Sequence, residues 1–318
     1  MKFLSGLFAF ALIVCFSTAC RKSGSSLPST PVEQDTLLAW QKITGLTDAE
    51  DIWFINPAKG FVVGNKTIYS SSDSGKTWTA IPGVSGGVYN LNFLDTQTGA
   101  AIGSSDLFIT TNGGVQWFKK PKPATSIGTS LVDIQFTSPS TAYIATPDGL
   151  YKTVDTGNTW NNVYNNATNG MFFFNDNTGI IYDFTTTSSN IYKTTDGGAH
   201  WQSLGYISGH AIGSNIMQFV NTQAGWFVRS DSLFSTINGG ATWSGKKSVG
   251  SLSNDIHFIN NNIGYLATYD EIFKTVDGGQ TWTRSCKLAR NAIIEIFFLD
   301  EKTGWACCAD GTIIRLKQ

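Results

Sequence analysis

Seven tryptophans, Trp40, Trp78, Trp117, Trp160, Trp201, Trp243 and Trp282, recur at intervals of 38 to 43 residues along the chain. A period of that length marks a small supersecondary unit that cannot bury its apolar face alone and stacks on copies of itself. Six of the seven close an octet of the form Ser/Thr-x-Asp/Asn-x-Gly-x-x-Trp: SSDSGKTW (Ser71 to Trp78), TTNGGVQW (Thr110 to Trp117), TVDTGNTW (Thr153 to Trp160), TTDGGAHW (Thr194 to Trp201), TINGGATW (Thr236 to Trp243) and TVDGGQTW (Thr275 to Trp282).

A second repeat precedes each octet, a Phe followed six residues later by a small residue: Phe54/Gly60, Phe93/Gly99, Phe136/Ala142, Phe173/Gly179, Phe219/Gly225, Phe258/Gly264 and Phe298/Gly304. The small residue stands 11 positions before the octet in five units and 15 before it in the fourth, which places an insertion near Thr185 to Ser189. Short β-branched and aromatic runs such as DIHFI and IIEIFFL, separated by Gly, Asn, Asp and Thr clusters, read as strands. Units of about 40 residues fit four-stranded propeller blades. The expectation is an all-β, seven-bladed β-propeller over residues 36–318.

The seventh unit starts at Ile293 and runs out at Gln318, with Arg315 where the spacing places an octet's first residue and no Trp after it. Its missing outer strand has a counterpart at the other end, because Trp40-Gln41-Lys42-Ile43 resembles Trp78-Thr79-Ala80-Ile81. The N-terminal strand is therefore expected to complete the last blade and close the ring, leaving few open sheet edges.

Residues 1–19 carry Lys2, an apolar run from Phe3 to Phe16 and then Ser17-Thr18-Ala19 before Cys20. This reads as a signal peptide for export. The run is shorter than the roughly 20 residues of a membrane span. Small residues directly before Cys20 resemble a bacterial lipoprotein box, although Ser17 stands where Leu is usual. Cys20 is the expected lipidation site, residues 20–35 a flexible Ser- and Pro-rich tether, and the cell envelope the expected location. Cys286, Cys307 and Cys308 allow one disulfide at most, from Cys286 to one of the other two, with buried unpaired thiols as the alternative. No CxxC pair or His cluster points to a metal, and no cofactor is implied. A formal charge of −1 with scattered Lys, Asp and Glu argues against nucleic acid as a partner.

Within each octet the invariant glycine, Gly75, Gly114, Gly157, Gly198, Gly240 or Gly279, sits where a tight hairpin requires positive φ. Two residues earlier Asp73, Asn112, Asp155, Asp196, Asn238 or Asp277 offers an acceptor to turn N–H groups. Trp78, Trp117, Trp160, Trp201, Trp243 and Trp282 then cover the turns. These residues resemble the Asp-box, or BNR, repeat of sialidases, some glucan hydrolases, sortilin-like receptors and the photosystem II stability and assembly factor family. The likeness to the last extends over about 280 residues, through blades such as NDIHFINNNIGYLATYDEIFKTVDGGQTW (Asn254 to Trp282). It implies the propeller fold, octets that shape turns away from any ligand, and an assembly-factor-like role. Asn112 and Asn238 lack the charge a metal role would need.

Spacings from each Trp to the next Phe vary from 13 to 19, so length variation gathers on the face opposite the octets. Variable loops on a rigid frame are where binding usually lives. On the inner strands, Ile52, Leu91, Ile134, Met171, Met217, Ile256 and Ile296 fall two before the Phe and should pack between blades. The other parity, Asp51, Trp53, Asn90, Asn92, Asp133, Gln135, Phe172, Gln218, Asp255, His257, Glu295 and Phe297, is the candidate lining of the channel mouth. Acids, amides and rings together suit a peptide or a sugar.

A sialidase would need an arginine trio, a Tyr nucleophile with a Glu partner and a Phe/Tyr-Arg-Ile-Pro motif, whereas the chain beyond the tether has only Arg229, Arg284, Arg290 and Arg315. A glucan hydrolase would use two carboxyls roughly 5 to 9.5 Å apart, for which Asp51, Asp133, Asp255 and Glu295 are the candidates. Such enzymes typically pair two propellers around the cleft, and this chain has one. Arg scarcity also departs from the Arg-rich contact surface of the assembly factors. The reading is a non-catalytic, lipid-anchored propeller that binds an envelope protein or glycan through its loop-rich face, with glycoside hydrolysis as the alternative.

Overall fold

The computed structural model describes residues 39–317 apart from 44, 105, 126–130, 185–187, 209–214, 230–231, 249–252 and 290. The expected signal peptide, the lipidation site Cys20 and the tether lie outside the described residues.

Seven four-stranded antiparallel sheets make seven blades. Their inner strands are Asp51–Phe54, Val88–Phe93, Asp133–Phe136, Gly170–Phe173, Asn215–Phe219, Ser253–Phe258 and Ile293–Asp300. Blades 1 to 6 follow the chain from inner to outer strand. Blade 7 is ordered Ile293–Asp300, Thr303–Cys308, Ile313–Leu316 and then Trp40–Ile43, with Trp40 opposite Leu316 and Ile43 opposite Ile313. The N-terminal strand thus closes the ring, as the sequence predicts. One detail differs from the spacing, because Arg315 stands opposite Trp305, the neighbour of Gly304, rather than opposite Gly304 itself. The preceding hairpin holds one more residue than those of blades 1 to 3, 5 and 6.

The fixed spacings become rows across the sheets. Phe54 pairs with Gly60 and Gly60 with Ser71, and the same row forms in blades 2 to 6. In the six blades where the small partner is Gly, the Phe ring covers it so closely that a Cβ on Gly264 would sit 2.5 Å from the Phe258 ring. Six residues separate Phe from Gly because that closes a hairpin placing them face to face. Replacing Gly264 with Val should cost about 1 to 3 kcal/mol or more through overpacking, read as a lowered Cm in urea with unchanged m; an unchanged Cm would contradict this packing.

The residue after the small one joins neighbouring blades. Tyr143 stacks on Phe173 at 3.5 Å, Trp226 on Phe258 at 3.6 Å, Tyr265 on Phe298 at 3.9 Å and Trp305 on Phe54 at 3.5 Å. Three of these rings also donate to the next octet, Trp226 Nε1 to the Gly278 carbonyl (3.0 Å), Trp305 Nε1 to that of Ser74 (3.1 Å) and the Tyr143 hydroxyl to that of Gly197 (3.3 Å). Buried rings with one polar tip suit this role, because the face excludes water while the tip keeps a hydrogen bond. The Trp305–Phe54 stack joins blade 7 to blade 1.

Cys286, Cys307 and Cys308 are buried thiols, and no disulfide joins them. Burial pushes the Cys307 thiol up, so it packs as a small apolar group. The fourth-blade insertion lengthens a hairpin, with strands Gly179–Phe184, Ser188–Thr194 and Gln202–Ser208; residues 185–187 lie outside the described residues.

Candidate functional site

The six octets share one hydrogen-bond plan. The Ser71 hydroxyl accepts from Gly75 N–H at 2.8 Å, and Thr110, Thr153, Thr194, Thr236 and Thr275 do the same for Gly114, Gly157, Gly198, Gly240 and Gly279 at 2.9 to 3.0 Å. Asp73, Asn112, Asp155, Asp196, Asn238 and Asp277 each accept the N–H four residues on, at 2.8 to 2.9 Å. All six invariant glycines have φ between 75° and 95°. The residue before each is left-handed too, as in Ser74 (φ 68°) and Thr156 (φ 57°), a second demand that a single invariant glycine did not reveal. Each octet is also tied to the first hairpin of its own blade, for example Ser74 N–H to Ala58 O at 2.8 Å and Gly278 N–H to Asn262 O at 2.9 Å. Octets and first hairpins therefore share one face, and the strand starts with their variable loops lie on the other.

These contacts set the acidities of the octets. Hydrogen bonds from Thr77, Thr159 and Thr281, hydroxyl before backbone, hold Asp73, Asp155 and Asp277 down to about 2. His200 does so for Asp196, through its backbone N–H first.

The residues two before each Phe, Ile52, Leu91, Ile134, Met171, Met217, Ile256 and Ile296, are all buried. Residues of the other parity fall into two tiers. Near the strand starts, Asn90, Asp133, Asp255 and Glu295 line a cavity of ≈ 360 Å³ together with Val132, Asn169, Met171, Tyr182, Met217 and Asn254. Trp53, Asn92, Gln135 and Phe172 line a second cavity of ≈ 330 Å³ toward the octet face, with Phe174 and Leu94. Gln218, His257 and Phe297 hold the same strand position on blades 5, 6 and 7. Asp133 and Met171 border both cavities. The twelve positions thus straddle the channel instead of ringing one mouth, because alternation reports the side a residue faces and not its depth.

Several of the twelve are staples between blades. Gln135 Nε2 donates to Phe173 O (2.9 Å) while its Oε1 accepts from Phe173 N–H (2.7 Å), and Gln218 repeats this on Phe258 at 3.3 and 2.6 Å. Asp51 accepts from Leu91 N–H at 2.5 Å and Asp255 from Ile296 N–H at 2.8 Å. A carboxamide or carboxylate here replaces the strand partner that an inner edge lacks. Burial lowers the acidity of the carboxyls, and Asp51, Asp133 and Asp255 rise to about 7. Glu295 is pushed up as well, by burial and then by Asp255 and Asp51. Burial pushes His257 down to about 4 against the blade 7 backbone, so it is neutral at pH 7. Among the described residues no group of three or more His, Cys, Asp or Glu is placed to hold a metal ion.

Residues 81–215, under half of the chain, match the family model described as Photosynthesis system II assembly factor YCF48. The chain is an Asp-box propeller similar to these assembly factors. Among solved structures, YCF48 bound to D1 peptide is 18% identical and superposes with TM-score 0.68 over 89% of this chain and 96% of its own. YCF48 from Cyanidioschyzon merolae is 16% identical, with TM-score 0.69 over 88% and 98%. A GH74 xyloglucanase from Xanthomonas campestris is 13% identical, with TM-score 0.64, and its match takes in 87% of this chain but 53% of its own. No curated protein matches the chain. At these identities the structures share the Asp-box propeller's fold.

Proposed function

We propose that this chain is a non-catalytic, assembly-factor-like propeller, anchored to the cell envelope by a lipid on Cys20, that binds a segment of a partner protein on its loop-rich face. The observation that carries the reading is the structural likeness to YCF48, over nearly its whole length, in a structure where that protein holds a peptide. The cavity among the strand starts on the same rigid ring supplies a concave, polar place for such a segment. Asp51 and Asp255 are engaged by backbone N–H groups of the next blade, which supports binding over glycoside hydrolysis for the channel carboxyls.

A photo-crosslinking residue at Asn166, exposed in the loop entering blade 4, should trap one envelope protein. The same probe at Ile237, 86% exposed on the octet face, should trap none. Trapping only from position 237, or from neither, would overturn the loop-face reading.

A further inference from the structure

Four of the six octets do more than turn the chain, since their glycines also back onto the neighbouring blade. A Cβ on Gly75, Gly157, Gly198 or Gly240 would sit 3.0, 3.8, 2.9 or 3.5 Å from Ile43, Lys120, Val163 or Leu204, on the outer strand of the preceding blade. Those four residues hold one position, three after the Trp of their own strand. In blade 6 that position is Ser285, and blade 7 has no octet to lay over it. The flank left open is a cleft of ≈ 380 Å³, bordered by Ala39, Lys274, Val276, Thr283, Arg284 and Ser285.

The chain enters its closing strand at this cleft. Ala39 borders it and accepts from Lys317 N–H at 2.7 Å, while Trp40 Nε1 donates to Ser285 Oγ at 2.9 Å. Trp40 therefore faces blade 6, and in an extended chain the residue two before it faces the same side. The wall is mostly carbon, and its two charged residues are both basic. Arg284 meets Glu271 at 3.1 Å, whereas Lys274, 5.5 Å over the Tyr265 ring, has no ion pair among the described residues. The sequence just before Ala39 answers both features. It reads Glu33-Gln34-Asp35-Thr36-Leu37-Leu38, and Glu33 and Asp35 are the only acids in residues 1–47. Asp35 also stands five residues before Trp40, as Asp73 does before Trp78.

From these features we infer that the cleft is the seat of the chain's own residues 33–38, which stand in for the octet that blade 7 lacks. Leu37 and Leu38 fill the apolar part against Val276 and Thr283, and the two acids lie toward Lys274 and Arg284, whose stems form wall while their heads stay in water. The seat has a consequence for orientation. Val276 belongs to the sixth octet, so the chain leaves the ring beside the octet face. Under the proposed function, on which this last step rests, the lipid on Cys20 then holds the octet face toward the membrane through residues 21–32, a leash of at most about 40 Å, and turns the loop-rich face outward to the partner.

Hydrogen exchange on the full chain, read by mass spectrometry, should find the amides of residues 33–38 exchanging about tenfold or more slowly than those of residues 23–31. Leu37→Ser/Leu38→Ser should bring the two stretches to the same rate. Thr283→Trp should do so as well, by filling the cleft while leaving the segment intact, and Thr283 is exposed on an outer strand, where a larger side chain is tolerated. Equal exchange of the two stretches in the native chain, or protection that persists in either variant, would overturn the seat. Protection that appears only as the chain is concentrated would give the cleft to a second copy and overturn it too. The native comparison needs no variant to fold, and none of these readouts involves the lipid or a partner, so failure of the seat and failure of the anchored, partner-binding reading are told apart.

Discussion

Deleting residues 36–46 should lower the melting temperature by about 10 °C or more, the consequence of losing roughly 5 kcal/mol in a propeller of this size. Trp40 is fully buried. Its ring meets Tyr265 and Phe298 edge-on at 6.4 and 5.8 Å, and its Nε1 donates to Ser285 Oγ at 2.9 Å. The closing strand therefore holds blade 6 as well as blade 7. Removal strips four residues of pairing from Ile313–Leu316, bares that strand's edge, and opens the apolar cluster around Ile272, Cys286 and Ile314. Trp40→Ala alone should cost about 3 to 5 kcal/mol. Thermal melting followed by near-UV circular dichroism would measure both variants. A deletion that melts with the parent would mean that the ring closes without its N-terminal strand.

How much of this was legible beforehand depended on whether a feature repeats. The Phe/Gly row recurs in almost every blade, and its spacing is a direct record of strand register, so architecture and closure could be read from the chain. An aromatic follows the small residue in five of the seven blades, Ala100 and Ile180 being the exceptions, but its stacking partner lies on the next blade, and periodicity carries no information on which neighbour it meets. Depth along the channel was invisible for a related reason. Asp51 and Trp53 share one parity, yet one belongs to the acidic tier and the other to the aromatic tier. Gln135 and Gln218 look like ligand-binding amides in a string of letters, while their geometry shows them spent on Phe173 and Phe258. Tyr182 was missed because it comes from a second strand, where the repeat holds only a buried position.

Stability should peak in mildly acidic solution and fall on both sides, because the fold moves two sets of carboxyls in opposite directions. In the unfolded chain both sets titrate near pH 4. Asp51, Asp133 and Asp255 titrate at about 7 in the folded protein. Between about pH 4 and 7 the folded state therefore binds more protons than the unfolded one, and the stability present at the acid end is lost as pH rises through 7. Asp51, Asp255 and Glu295 act on one another, so the fall is spread out and belongs to the group. Asp73, Asp155, Asp196 and Asp277 titrate at about 2 when folded. Their contribution is complete above about pH 4 and is lost as pH falls toward 2. Melting temperatures from pH 2.5 to 8.5 at constant ionic strength should trace this dome. In Asp133→Asn/Glu295→Gln the alkaline limb should flatten while the acid limb stays, and in Asp277→Asn only the acid limb should soften, since Asn keeps the acceptor for Thr281 N–H, as Asn112 and Asn238 do in their own octets. A profile that rises steadily from pH 5 to 8 would mean that the channel carboxyls are ionised and already matched by cations at neutral pH, which is the opposite of the charge state derived from their burial.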